Sequence, residues 1–150
     1  MNKIQANSPC PYCGRYKNRV ATVDAVVIKH DKVLLIKRTN EPFKDYWALP
    51  GGYMDFNENA LEASVRELKE ETGLSAEHIR FISVYSDPSR HPQQVVSVAY
   101  LIDKWQGQVK AGDDAGQAEW FTLSKLPSNL AFDHRRILGQ AKKLYIKEHR

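Results

Sequence analysis

Three glutamates, Glu67, Glu70 and Glu71, follow one another at i, i+3 and i+4. On a helix that spacing gathers side chains within about one turn, roughly 5–6 Å between Cβ atoms. Three like charges held so closely repel unless a cation sits between them. Carboxylate oxygens are hard ligands suited to Mg²⁺ or Mn²⁺, and Mg²⁺ characteristically takes one or two of them and completes its shell with water and phosphate oxygens. The chemistry this points to is divalent-cation binding beside a substrate that brings phosphate oxygens to the metal. The competing reading is an acidic, solvated helix face.

The glutamates need a helix, and the sequence supplies one. Good helix formers are dense from Asn59 to Thr72, and Gly73 stands where a stop is expected. At about 100° per residue, Leu61, Val65, Leu68 and Thr72 share an arc that is expected to be buried. Glu67, Glu70 and Glu71 share another with Ala60, Ala63 and Ser64, and no base lies on it. Glu58, Glu62, Arg66 and Lys69 fall in the third sector, where solvated i, i+4 pairs such as Glu62 with Arg66 are expected. From Asp55 to Glu71 there are six carboxylates against two bases, inside a chain whose formal charge is +4. An acidic knot in a basic protein suggests a cation site that an anionic substrate approaches.

The remaining elements must position that helix. Two β-branched runs, Val23 to Ile28 and Val33 to Ile36, flank His30-Asp31-Lys32 and read as a hairpin. Residues 39 to 57, with Pro42, Pro50, Gly51, Gly52 and Asn57, read as a loop that wraps over something. Strands are expected at Ile79 to Tyr85, Val95 to Ile102 and Glu119 to Thr122, and a final helix near Asp133 onwards. Strands with one helix inserted and another at the end predict an α+β fold, a mixed or antiparallel sheet flanked by helices. At 150 residues the chain has the length of one ordinary domain. An N-terminal segment, 1–19, is expected to precede a domain at 20–150.

Gly52-x₅-Glu58-x₇-Arg66-Glu67-Leu68-x-Glu70-Glu71-x-Gly73-Leu74 resembles the full signature of the Nudix hydrolases at every specified position, and the likeness extends over essentially the whole chain. The resemblance implies a sandwich of mixed sheet and helices whose loop-helix-loop box binds one to three divalent cations. It implies Glu67, Glu70 and Glu71 as metal ligands together with the Gly52 carbonyl, with Arg66 bracing the carboxylates and Glu58 orienting them. The general base varies in the family. Glu70, Glu67 or a later acid from Asp113, Asp114 and Glu119 could serve.

The box does not choose a substrate. Pro88 stands 15 residues after Gly73, where ADP-ribose pyrophosphatases carry a proline, and with Gly112-Asp113-Asp114-Ala115 and Phe132-Asp133-His134 the chain looks like that small subgroup. The expected substrate is therefore a nucleoside diphosphate derivative, ADP-ribose first, split into AMP and ribose 5-phosphate. Arg38, Pro88, Arg90 and Asp114 are the candidate substrate contacts; Arg90 is suited to a phosphate and His91 could touch a ribose or base, the competing reading for both being exposed loop residues. Ser86, Pro88 and Pro92 also partly match the NADH pyrophosphatase motif, but Ser89, Arg90 and Gln94 depart from it. Trp47, Tyr53, Tyr85 and Tyr100 could stack a base, although core packing is their commoner fate. A ligand sensor on the same fold is the alternative of another class, and the intact carboxylate trio argues against it.

Cys10 and Cys13, the two cysteines, form one C-x-x-C step, half of a zinc ribbon. Zn²⁺ there would need a histidine or a second subunit, so it is the less favoured reading. No apolar run is long enough to cross a membrane, and the first residues lack a secretory h-region. A cytoplasmic enzyme without nucleic-acid partners is expected, and homodimerisation is compatible with the strand edges.

Overall fold

The structure is a computed structural model that describes residue 9 and residues 14–15, 18–111 and 115–149. The Cys10-x-x-Cys13 step, Asp113 and Asp114 lie outside the described residues. Strands β1 (Ala21–Lys29) and β2 (Lys32–Arg38) form the expected hairpin, turned by His30 at φ 57°. The wrapping loop after it carries two short strands, β3 (Trp47–Ala48) and β4 (Gly51–Tyr53). Then come α1 (Ala60–Thr72), β5 (Ser75–Tyr85), a 3₁₀ turn (Pro88–Arg90), β6 (Val96–Gln106), β7 (Ala115–Thr122) and α2 (His134–Glu148). Strand β5 begins four residues before the expected start, and β7 likewise. Both are lengthened by ladders with β6 and β2 that local composition does not announce.

Strand β1 is the axis of a mixed sheet. It runs parallel to β6 from Ala21 to Val27, antiparallel to β4 from Thr22 to Asp24, and pairs with β2 at the hairpin end, Ile28 and Lys29. Strand β2 continues the sheet through β3 and β7, and β5 closes the other edge against β6. The parallel β1–β6 pair needs a crossover connection, and α1 lies within it.

Both faces of β1 are covered, which explains its unbroken apolar run. Val26 and Ile28 pack with Ile137, Leu138 and Ala141 of α2, while Ala25 and Val27 pack with Leu68 of α1 and with Leu74. All four β1 residues are fully buried. Burying one such side chain contributes about 1.5–3 kcal/mol, so these two layers hold the helices to the sheet. Among the described residues no helix is long and apolar enough to cross a membrane.

Helix α1 begins with a capping box. The Asn59 side chain accepts from the Glu62 amide, and the Glu62 carboxylate accepts from the Asn59 amide. Gly73, at φ 78°, ends the helix by donating to the Lys69 carbonyl. Two expectations change here. Glu62 is engaged at the cap, so Arg66 pairs with Glu58 in its place. The buried face comprises Ala63, Ser64, Leu68, Glu71 and Thr72, whereas Leu61 is 43% exposed. The helix lies against the glycine strand β4, and small residues permit that close approach.

Candidate active site

A cleft of about 450 Å³ opens where β1, β2, β4 and α1 meet the loops that precede and follow them. Glu67 and Glu71 reach it from α1, Gly51, Gly52 and Tyr53 from β4, Asp24 from β1 and Arg38 from the end of β2. His91, Phe132 and His134 arrive from later loops and the start of α2.

The three glutamates have distinct partners. Arg66 donates through Nη1 to Glu67 at 2.9 Å and to Glu70 at 3.2 Å, and through Nε and Nη2 to both oxygens of Glu58 at 2.9 and 2.7 Å. Its fork also reaches the Tyr53 carbonyl at 3.0 Å, tying α1 to β4. One guanidinium thus bonds Glu58, Glu67 and Glu70, and Glu58 takes two of its donors. Hydrogen bonds from Arg66, then from the Asp55 amide, hold the Glu58 carboxyl down to about 2. Glu71 turns inward, 8% exposed, and accepts from the Gly51 amide at 2.9 Å. Glu70 is the most open of the set, with 45% of its side chain exposed, and it does not line the cleft.

Burial pushes the Glu67 carboxyl up, with Glu70 and Asp55 adding to the rise, and Arg66 only partly offsets this. Such a group is relieved by a nearby cation. Gly52 gives the second indication. A Cβ there would lie 2.5 Å from a Glu67 oxygen, so bare backbone is required beside that carboxylate. Among the described residues no three His, Cys, Asp or Glu side chains stand close enough to enclose an ion as placed, because Arg66 and the Gly51 amide draw them to different points. The donor set itself, three carboxylates and a backbone carbonyl, is all oxygen and fits a hard divalent cation. Glu67, Glu70, Glu71 and Gly52 are the residues that would hold it.

Beneath the glycine turn lies a buried polar network. Asp24 accepts from Ser97 at 2.5 Å and from Nε2 of His134 at 3.2 Å, with Arg90 at 3.9 Å. Burial acts to raise the Asp24 carboxyl, and His134, Ser97 and Arg90 together outweigh it, so it sits below the usual carboxylate range. His134 accepts through Nδ1 from the Leu49 amide at 3.0 Å, which assigns the ring proton to Nε2. Sequence reasoning grouped His134 with its neighbours and passed over Asp24 and Ser97. The available signal was Asp24 itself, a charge inside the Val23-to-Ile28 strand.

The candidate substrate contacts fare differently. Arg38 lines the cleft, donates to the carbonyls of Pro42 and Asn40 at 2.9 and 3.4 Å, and places its guanidinium 4.9 Å from the centre of the Phe132 ring. Its Nη1 has no hydrogen-bond partner among the described residues. Arg90 also lines the cleft but is 8% exposed, and its fork is engaged by both oxygens of Asp133 at 3.0 and 2.7 Å. It therefore acts as a wall more than as a free phosphate ligand. That engagement also explains why Asp133 makes no side-chain cap for α2. Pro88 opens the 3₁₀ turn without lining the cleft, and Glu119 is exposed on β7. Of the four aromatics considered, Tyr53 alone reaches the cleft. Trp47 packs edge-on against Phe121, Tyr85 bonds Gln140, and Tyr100 meets Phe81.

Residues 18–140 match the family model of the NUDIX domain. The chain is 48% identical over 124 residues to the ADP-ribose pyrophosphatase of Methanocaldococcus jannaschii, covering 82% of this chain and 73% of that protein. It is 33% identical over 138 residues to the ADPR responsive transcriptional repressor NtrR of Acinetobacter baylyi, covering 84% of this chain but 54% of the repressor. The chain thus spans about half of that protein. The NUDIX domain of Shewanella oneidensis NrtR, solved with ADP ribose, superposes with a TM-score of 0.79 at 30% identity, covering 87% of this chain and 90% of that one.

Proposed function

Because the chain belongs to the Nudix family of hydrolases, we propose that it is a divalent-metal-dependent pyrophosphohydrolase that splits ADP-ribose with water into AMP and ribose 5-phosphate. The observation that carries this reading is the Glu67 carboxylate of α1 against the bare backbone of Gly52, in a chain 48% identical over 124 residues to its pyrophosphatase relative.

A divalent cation, Mg²⁺ or Mn²⁺, would supply charge neutralisation on the diphosphate and acidification of the attacking water. Glu67, Glu70, Glu71 and the Gly52 carbonyl would hold it. The protein's own part is positioning. Arg66 keeps Glu67 and Glu70 aimed from one guanidinium, and the buried Glu71 locks the Gly51-Gly52 turn. As the water oxygen bonds to phosphorus, the bond from that phosphorus to the bridging oxygen breaks. The departing phosphate keeps the bridging oxygen, and the water's proton passes to a carboxylate oxygen of Glu67 or Glu70. Arg38, which lines the cleft, supports the substrate's phosphate oxygens, since guanidinium and phosphate match in charge and geometry.

The similarity to a repressor favours one second reading, an ADP-ribose sensor without turnover. One experiment separates the two. Purified protein is incubated with ADP-ribose, NADH, dinucleoside polyphosphates and nucleoside triphosphates, with Mg²⁺ or Mn²⁺ and with EDTA controls, and products are resolved chromatographically. Metal-dependent AMP and ribose 5-phosphate support the hydrolase. Preference for another substrate reassigns the loops, and tight binding without turnover supports the sensor.

A further inference from the structure

His91 belongs to no part of the diphosphate chemistry, yet it lines the cleft while being 8% exposed. Its Nδ1 accepts from the Gln93 amide at 3.0 Å, so the proton of the neutral ring resides on Nε2. The ring stacks on Phe132, centroids 5.0 Å apart and planes 18° from parallel. Amide and stack together fix the orientation of the imidazole. Nε2 has no protein partner among the described residues and is not one of the sealed unpartnered atoms, so it is accessible on a residue that lines the cleft.

The platform beneath it is held at a conformational cost. Phe132 adopts φ 52° and its edge-on neighbour Phe43 adopts φ 62°, their ring centroids 4.9 Å apart. A bulky residue in the left-handed region is uncommon, and such outliers cluster where a ligand or switch requires them. Burial first, then the nearby Arg90 and Arg38, push the His91 imidazole below its ordinary range. A neutral N–H beside two guanidinium groups suits a neutral oxygen, while Arg38 suits an anionic one.

We propose that His91 is a specificity-determining residue whose Nε2–H donates to a sugar hydroxyl of the substrate, with Phe132 as its positioning platform. The inference rests on the ADP-ribose reading. It separates a sugar nucleotide from a plain diphosphate by a hydrogen bond that the latter cannot complete.

The test is His91→Phe, which keeps a ring on Phe132 and deletes the donor, alongside His91→Gln, which restores one. With ADP-ribose, His91→Phe is expected to raise KM about tenfold, the scale of one lost hydrogen bond, with kcat within about twofold, and His91→Gln is expected to recover part of the loss. Deoxy analogues of either ribose should penalise wild type and not His91→Phe at the contacted hydroxyl, which identifies the sugar. Unchanged KM in a folded His91→Phe overturns the assignment and leaves the hydrolase intact. If His91→Phe does not fold, a wild-type KM that no deoxy substitution on either ribose raises overturns it instead. Wild type that does not cut ADP-ribose removes both readings.

Discussion

The Leu49 amide donates to Nδ1 of His134 at 3.0 Å. The same ring donates from Nε2 to Asp24 at 3.2 Å, so one neutral imidazole at the start of α2 ties the loop entering the glycine turn to the central strand. The turn that presents the Gly52 carbonyl is thereby held from beneath by residues outside the signature.

The two bonds of His134 can be tested separately. An asparagine oxygen can stand for Nδ1 and a glutamine nitrogen for Nε2. His134→Asn should keep the Leu49 bond and more of the kcat, whereas His134→Gln should keep the Asp24 bond and lose kcat through the loosened turn. His134→Ala should lower stability by about 3 kcal/mol, since it strips both a buried amide and a buried carboxylate of partners. Denaturant titration and steady-state kinetics of the three variants measure this. Equal kcat in the Asn and Gln variants contradicts the role of the Leu49 bond.

Adjacent glycines should fail in different ways. A Cβ on Gly51 would lie 2.1 Å from the backbone oxygen of Val23, which cannot move without disturbing β1. Gly51→Ala should therefore destabilise the fold by about 1–3 kcal/mol or more. On Gly52 the clash is with the end of the Glu67 side chain. Gly52→Ala should melt close to wild type and lose most activity, as read by paired melting curves and assays.

Glu70→Gln should reduce kcat by roughly 10²–10⁴ if Glu70 takes the proton, with an unchanged melting temperature because that side chain is substantially open. Glu71→Gln retains an oxygen for the Gly51 amide and should also fold, yet lose metal-dependent turnover. A Glu70→Gln protein with full activity, compared with Glu67→Gln, would transfer the base to Glu67.

Acid stability should report the Arg66 brace. The Glu58 carboxyl is held near 2, against an ordinary value of 4.5. A depressed carboxyl stabilises the fold fully above its unfolded value, and the contribution fades as pH falls through the folded value. Glu58→Gln should therefore flatten the decline in melting temperature between pH 4.5 and about 2 relative to wild type. Parallel curves for the two proteins would contradict the pairing.

Legibility followed sequence distance. Helix α1, its Asn59 entry and Gly73 exit, and the Glu67, Glu70 and Glu71 set are local patterns, since neighbours three or four residues apart on a helix meet whatever the rest of the chain does. Arg66 as a brace came with the family resemblance, whereas helical spacing alone paired it with Glu62. Glu62, the i−4 neighbour, is taken by the cap, and Glu58 folds back from the preceding loop. The two apolar runs of β1 and β2 announced a hairpin, but not that β1 would be parallel to β6 and covered on both sides.

By itself the sequence determined the Nudix signature: a helix carrying Glu67, Glu70 and Glu71, preceded by bare glycine backbone. Tertiary structure alone decided what surrounds it. Leu49 and His134 are 85 residues apart, and Ser97 and Asp24 are 73 apart. Arg38 from the end of β2 and His91 and Phe132 from two later loops line one cleft. No periodicity links such positions, because a contact between distant segments is set by strand register and helix packing, not by neighbouring residue types. The glutamate end of the cleft is thus written locally, while the end lined by Arg38, His91 and Phe132 exists once β1, β6 and α2 have packed.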